Sequence, residues 1–159
     1  MKKYFIPVLL IASIFLFISA ANEIQWISYD KAINLAKQKN QHVFIFFYAD
    51  WCVYCKKMKT ETFTDPKVIQ VMNDHFQPVI IDSESNKTIS DLLKKTGYDM
   101  AKYYSVSGLP TSIILKPSGE ILYSIPGYID KETFSLVLEY IYTNSYEKMD
   151  FNAFKKSKQ

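Results

Sequence analysis

The sequence contains no arginine, and this absence narrows the range of partners. All 19 basic residues are lysines, and the chain of 159 residues has 16 acidic residues to set against them. Without Lys2 and Lys3 the balance is 17 lysines to 16 acidic residues, so the rest of the chain is close to neutral. Arginine makes most of the bidentate contacts to phosphate and guanine. We therefore expect no nucleic-acid partner.

Glycine, proline and cysteine are also scarce. The chain has four glycines, six prolines and two cysteines, whereas 48% of its residues are hydrophobic and 16% are aromatic. Such a composition can build a hydrophobic core, which excludes a low-complexity or disordered protein. The length fits a single domain.

The first 21 residues have the pattern of a secretory signal peptide. Residues 2–3 are lysines, residues 4–18 form an apolar run, and residues 19–21 are the small residues that a signal peptidase recognises. The run is shorter than the ~20 apolar residues of a membrane-spanning helix, so we favour cleavage after Ala21 over an uncleaved anchor. The sequence therefore predicts an exported protein, periplasmic or otherwise extracytoplasmic.

Hydrophobic periodicity predicts an α/β fold for the rest of the chain. Helices are expected over residues 29–40, 52–61, from 66 onward, around 89–95, around 100–104 and over 130–142, and strands over residues 42–49, 78–82, 111–115 and 121–124. This order predicts a mixed central sheet flanked by helices on both faces. We expect residues 22–143 to form the domain and residues 144–159 to be a lysine-rich tail.

The two cysteines lie in one tetrapeptide, Cys52-Val53-Tyr54-Cys55. A loop this short adds little stability through chain entropy, so the pair indicates chemistry rather than a structural link. Cys52 stands where a buried strand ends and a helix begins, and thiols at helix N-termini have pKa values of about 3.5–7.5 instead of about 8.5. The spacing lets Cys52 attack a substrate disulfide and Cys55 resolve the mixed disulfide.

Other roles for the two cysteines are a zinc site, covalent haem attachment, a copper(I) site and a binding module without thiol chemistry. Zinc would need two further ligands, and outside the carboxylates only His42 and His75 are available. Covalent haem would need a histidine after Cys55, where Lys56 stands. A copper(I) carrier that uses both thiolates and a binding module with incidental cysteines are the alternatives to an enzyme.

A second motif, residues 108–111 (Gly-Leu-Pro-Thr), directly precedes a strand. A cis bond before Pro110 could turn the chain so that the backbone of Leu109 faces a substrate. An extended peptide could then pair with that backbone as an added strand. Trp51 is expected at the rim of the same site. Trp51, Leu109 and Pro110 are therefore candidate substrate-binding residues.

Several motifs together resemble those of thioredoxin-fold oxidoreductases. They are residues 48–56 (YADWCVYCK), 62–66 (TFTDP), 108–111 (GLPT) and 126–128 (PGY). Residues 24–142 resemble in particular the C-terminal domain of the transmembrane reductase DsbD and the exported SoxW-type thioredoxins. The resemblance implies a thioredoxin fold, with Cys52 as the attacking thiol, Cys55 as the resolving thiol and Pro110 as a cis-proline.

Two positions depart from the pattern of these relatives. The DsbD domain and thioredoxin itself carry a buried acid six residues before the first cysteine, where this chain has Phe46. The DsbD domain has a second acid four residues after the second cysteine, where this chain has Lys59. Those acids assist proton transfer at the resolving thiol, so the proton acceptor for Cys55 is unassigned.

The resemblance also implies a function, that of an exported protein-disulfide reductase. Its expected partners are protein disulfides and a transmembrane thiol electron donor, and we expect a monomer with no cofactor and no metal ion. A disulfide oxidase or isomerase is the alternative, because Lys56, Lys57 and Lys59 favour a stable thiolate and hence the reduced form of the protein.

Overall fold

The computed structural model describes residues 22–159, and the expected signal peptide lies outside that range. The described residues form α-helices at Tyr29–Lys39 (α1), Val53–Lys57 (α2), Pro66–His75 (α3), Gly97–Tyr103 (α4), Lys131–Tyr142 (α5) and Phe151–Ser157 (α6). Their strands are His42–Tyr48 (β1), Phe76–Asp82 (β2), Thr88–Ser90 (β3), Lys95–Thr96 (β4), Thr111–Leu115 (β5) and Ile121–Pro126 (β6). A π-helical turn, Met58–Thr62, continues α2, and a 3₁₀ turn, Ser145–Glu147, precedes α6. Within residues 22–159, no helix has the length and apolar character needed to cross a membrane.

Four strands form the central sheet in the order β2-β1-β5-β6. β1 is parallel to β2 and antiparallel to β5, and β6 is antiparallel to β5. The residues from Val43 to Phe47 are all β-branched or aromatic, which suits a strand buried on both faces, and all five are fully buried. The sheet is mixed, and the predicted α/β architecture is confirmed.

The alternation of side chains along β1 divides the core into two clusters. Phe44 and Phe46 point to one face, where they pack with residues of α3 and α5 and with both cysteines. Val43, Ile45 and Phe47 point to the other face and pack with residues of α1 and α4. Helices therefore cover both faces of the sheet, as predicted, and the cysteines belong to the first cluster.

The prediction of a helix around residues 89–95 is wrong. This segment instead forms β3 and β4, an antiparallel pair joined by a turn. Asp30, at the start of α1, accepts hydrogen bonds from the hydroxyl of Ser90 and from the next two backbone nitrogens. This contact from a distant part of the chain overrides the helical spacing of the apolar residues.

The observed bounds of several other helices and strands differ from the predicted bounds by a few residues. The helix predicted around residues 100–104 begins earlier, at Gly97, because Thr96 and Asp99 form a capping box before it. β2 and β6 are each longer than predicted. Asp130 is the N-cap of α5 rather than its first residue, and its side chain accepts a hydrogen bond from the backbone nitrogen of Thr133.

The residues after 143 form the 3₁₀ turn and α6. Asp150 caps α6 by accepting a hydrogen bond from the backbone nitrogen of Ala153 over 2.9 Å. Phe154 is buried, and its ring centroid lies 5.2 Å from that of Tyr140 on α5. This segment therefore packs into the same cluster as the cysteines.

Candidate functional site

The Cys52–Cys55 pair lies just beyond the C-terminal end of the central strand. β1 ends at Tyr48, and α2 begins at Val53 with Cys52 as its N-cap. The two cysteines form a disulfide, and their Cα atoms are 5.2 Å apart. The pair is thus held between a buried strand and a helix N-terminus, where the first backbone N–H groups have no partner within the helix.

The two sulfurs differ in their surroundings. The backbone nitrogen of Cys55 donates a hydrogen bond to the Sγ atom of Cys52 over 3.1 Å. A first-turn amide of a helix favours negative charge on the atom that it faces. Cys55 lies within the helix and is 1% exposed, compared with 3% for Cys52. The environment of Cys52 is therefore the one that favours a thiolate.

Exposed apolar side chains flank the disulfide. Trp51, Val53 and Tyr54 are 65%, 73% and 60% exposed, respectively. The indole nitrogen of Trp51 donates a hydrogen bond to Oε1 of Glu84 over 2.8 Å, which ties the ring to the loop after β2. Several exposed apolar side chains beside a reactive pair are typical of a site that contacts another protein.

Tyr128 extends this rim on the side of the loop before α5. Its ring centroid lies 6.3 Å from that of Tyr54 and 4.6 Å from Nζ of Lys57. Its hydroxyl donates a hydrogen bond to Glu61 over 3.1 Å, and loss of solvent together with this bond raises the pKa of Tyr128. Tyr128 was not predicted as a rim residue, although it belongs to the motif at residues 126–128 and directly follows Gly127 in the sequence.

The Leu109–Pro110 peptide bond is cis and lies at the same end of the sheet as the disulfide. In the antiparallel pairing of β1 with β5, Thr111 lies opposite Phe47, next to the point where β1 ends. The carbonyl oxygen of Pro110 accepts a hydrogen bond from the backbone nitrogen of Gly127 over 2.8 Å. The loop before β5 is therefore joined to the loop after β6 at this end of the sheet.

Phe46 fills the first position at which the resemblance would place an acid. It is fully buried in the cluster that contains both cysteines, and its ring centroid lies 4.9 Å from that of Phe63. Ser112 lies opposite Phe46 on β5 and is also fully buried. Within residues 22–159, its Oγ is the one buried side-chain oxygen or nitrogen without a hydrogen-bond partner. An aromatic ring therefore occupies the position at which the resemblance would place an acid.

Lys59 fills the second such position. Its Nζ atom lies 3.2 Å from the centroid of the Tyr48 ring. That ring stacks on Phe46, with centroids 6.4 Å apart and an angle of 7° between the planes. Burial lowers the pKa of Lys59, and the carboxylates of Asp50 and Asp82 oppose that shift.

The two histidines lie at the end of the sheet opposite the cysteines. His42 is the first residue of β1, and its Nε2 atom is 3.2 Å from the hydroxyl of Tyr146. His75 ends α3 and stacks on Tyr142, with ring centroids 4.1 Å apart. Among the residues from 22 to 159, no three histidine, cysteine, aspartate or glutamate side chains are grouped so that they could hold a metal ion.

The model of the thioredoxin-like domain family matches residues 29–142. This chain belongs to the thioredoxin-like family. It is 36% identical over 105 residues to the thiol:disulfide interchange protein DsbD of Salmonella typhi, an alignment that covers 64% of the chain and 17% of DsbD. The chain thus spans only a small part of the length of the curated relative that it matches.

Solved structures with this thioredoxin-like fold include two bacterial proteins. A thioredoxin-fold protein from Helicobacter pylori has a TM-score of 0.65 and 22% identity, with coverage of 75% of this chain and 80% of that one. The reduced C-terminal domain of DsbD from Neisseria meningitidis has a TM-score of 0.52 and 22% identity, with coverage of 69% and 90%. The predicted thioredoxin fold is therefore confirmed. The chain therefore has a thioredoxin-like fold, with Cys52 and Cys55 as a CxxC pair joined in a disulfide.

Proposed function

We propose that this thioredoxin-like protein is exported and reduces disulfide bonds in other proteins. The observation that carries the proposal is the hydrogen bond from the Cys55 amide to the Cys52 sulfur at the start of α2. Because the amide and the helix dipole both favour negative charge at that sulfur, Cys52 is the attacking thiol. The exposed side chains of Trp51 and Tyr54 beside it offer a surface for a protein substrate.

Reduction proceeds in two exchange steps. The Cys52 thiolate attacks one sulfur of the substrate disulfide, a mixed disulfide forms, and the second substrate sulfur leaves as a thiolate. Cys55 then gives its proton to solvent and attacks the sulfur of Cys52, which releases the first substrate sulfur with its electron pair. The substrate gains two electrons, and the protein ends as the Cys52–Cys55 disulfide.

The substrate segment around the reacting cysteine binds beside Leu109 and Pro110. An extended peptide at this place pairs with the backbone of Leu109, and Trp51 contacts it from the rim. The side chain of Leu109 is half-buried and packs against both core clusters. Because this backbone is already ordered, peptide binding loses little further conformational entropy.

The reducing direction and the location rest on the sequence. The resemblance to the DsbD domain favours a reductase, and a reductase outside the cytoplasm needs a source of electrons. A transmembrane thiol carrier is the proposed donor. The mature protein acts as a monomer in the periplasm or a comparable compartment, after removal of residues 1–21.

Insulin reduction tests this function. With dithiothreitol as the electron source, the purified protein should accelerate the precipitation of the insulin B chain well above the rate with dithiothreitol alone. Cys52→Ser should abolish the acceleration while circular dichroism shows the same fold. A wild-type protein that gives no acceleration would overturn the proposed function and leave a thioredoxin-like binding module.

A further inference from the structure

The structure distinguishes Lys59 from the other two lysines that follow Cys55. Lys56 and Lys57 are exposed, and Lys57 pairs with a neighbouring glutamate at 3.9 Å. Lys59 is partly buried, and its Nζ atom lies 3.2 Å from the centroid of the Tyr48 ring. A cation over an aromatic face is attracted by the negative face of the ring. The ammonium group of Lys59 is therefore drawn to the face of the Tyr48 ring.

The ring of Tyr48, which Lys59 contacts, packs against the core cluster that contains both cysteines. Tyr48 stacks on Phe46, and Phe46 packs in the same cluster as Cys55. Lys59 also follows Cys55 by four residues in a continuous helical segment. Residues with this spacing have Cβ atoms about 5–6 Å apart. Lys59 therefore follows Cys55 by about one helical turn, and its ammonium group lies against a ring that packs on the cluster containing the resolving cysteine.

The groups around Lys59 determine its own charge. Burial disfavours the protonated form and lowers the pKa of Lys59, whereas the carboxylates of Asp50 and Asp82 favour it. Tyr48 is neutral near pH 7, because burial raises its pKa above the ordinary value of 10.0. Two carboxylates therefore support a cation at this position.

We propose that Lys59 is a positioning residue whose ammonium group favours the thiolate of Cys55 during resolution of the mixed disulfide. This inference rests on the proposed function. In that step Cys55 gives its proton to solvent, its sulfur bonds to Cys52, and the bond from Cys52 to the substrate breaks with the electron pair on the leaving sulfur. Lys59 keeps its proton throughout, because it acts only through its positive charge.

A small aromatic disulfide, dithiobis(nitrobenzoate), separates the two steps in one stopped-flow trace. Attack by Cys52 on this reagent releases one coloured thiolate, and resolution by Cys55 releases the second. The rate of the second release is measured from mildly acidic to mildly alkaline pH. The variants are Lys59→Met, Lys59→Arg, which keeps the cation, and Lys56→Met, which removes an exposed charge from the same helix.

We expect Lys59→Met to slow the second release about tenfold on the acidic side of its pH profile. The midpoint of that profile should move up by about one pH unit, the size expected for loss of one close opposite charge. In Lys59→Arg and Lys56→Met the rate of the second release should stay within about twofold of the wild-type rate. Lys59→Arg keeps the charge, and Lys56→Met removes a charge that solvent already screens. The first release should be similar in all four proteins.

Two results would overturn the proposal and leave the proposed function intact. One is a Lys59→Met profile that coincides with the wild type or is lowered by the same factor at every pH, as a structural role would produce. The other is a Lys59→Arg protein as slow as Lys59→Met. A wild-type protein that never releases the second thiolate would overturn the proposed function and this inference together.

Discussion

The backbone nitrogen of Cys55 lies 3.1 Å from the sulfur of Cys52 and donates a hydrogen bond to it. The two cysteines are therefore unequal, although they lie in the same turn of the chain and are both buried. The backbone N–H group of Cys55 has no partner within the helix that begins at Val53. It donates to the sulfur of Cys52, and the sulfur of Cys55 has no corresponding donor in this turn.

The first prediction is that Cys52 alkylates faster than Cys55, and at lower pH, in the reduced protein. The reason is that a helix N-terminus stabilises the thiolate. Iodoacetamide labelling followed by peptide mass spectrometry gives both rates as a function of pH. Cys55→Ser should accumulate a mixed disulfide with substrate, and Cys52→Ser should not. A faster Cys55 would reverse the two roles.

Trp51→Ala should weaken substrate binding without changing the stability of the fold. The Trp51 side chain is 65% exposed and is tied to Glu84 by one hydrogen bond, so its loss removes contact area for the substrate rather than core packing. The KM for insulin should rise about fivefold, the equivalent of about 1 kcal/mol, with an unchanged urea midpoint. Ile121→Ala is the control, since Ile121 is 52% exposed at the opposite end of the sheet. Equal KM values for the two variants would show that Trp51 does not contact the substrate.

Gly97→Ala should destabilise the protein. A Cβ atom at Gly97 would clash with the backbone carbonyl oxygen of Asp82, and rotation of a side chain cannot relieve a clash with backbone. We expect the free energy of unfolding to fall by about 1–3 kcal/mol, as measured by urea titration. Gly108→Ala is the matched control, because an added Cβ there meets nothing within 4 Å. A loss of the same size in both variants would contradict the packing argument.

His42 should make the stability of the protein depend on pH. Burial lowers the pKa of His42 in the folded protein below the ordinary value of 6.5, and the carboxylate of Glu147 opposes that shift. As the pH falls, the unfolded chain therefore takes up the proton first. The contribution of His42 to the free energy of unfolding is complete above about pH 6.5 and decreases below it, down to the folded-state pKa.

Urea titrations at about pH 7.5 and about pH 5.5 measure this dependence. The wild type should be less stable at the lower pH, and His42→Gln should lose less stability between the two values. Every other ionisable group is present in both proteins, so the difference between them isolates the contribution of His42. If both proteins lose the same amount of stability, burial of His42 is not the cause.

The sheet and the reactive pair could be predicted because they follow from local patterns. The residues Val43 to Phe47 form an unbroken apolar run, and Cys52 follows its end by a few residues. The segment 89–95 could not be predicted in this way. Its apolar residues have helical spacing, but the decisive hydrogen bonds come from Asp30, which is 61 residues from Asp91.

The rim of the site could be predicted only in part. Trp51 adjoins Cys52 and is recognisable from the sequence, whereas Glu84 and Tyr128 lie on other loops that folding brings to the same end of the sheet. The sequence marked Lys59 as a departure from the relatives. Its contact with the ring of Tyr48 depends on how α2 and its π-helical extension pack on β1, and no spacing in the sequence indicates it.

The reduction potential of the Cys52–Cys55 pair tests the proposed reducing function most directly. Equilibration against defined ratios of reduced and oxidised glutathione, followed by alkylation and mass spectrometry, gives the fraction of disulfide at each ratio. The resemblance to reductases predicts a potential near that of thioredoxin, about −270 mV. A value above about −180 mV, that of protein disulfide isomerase, would contradict the reducing direction and indicate an oxidase or isomerase.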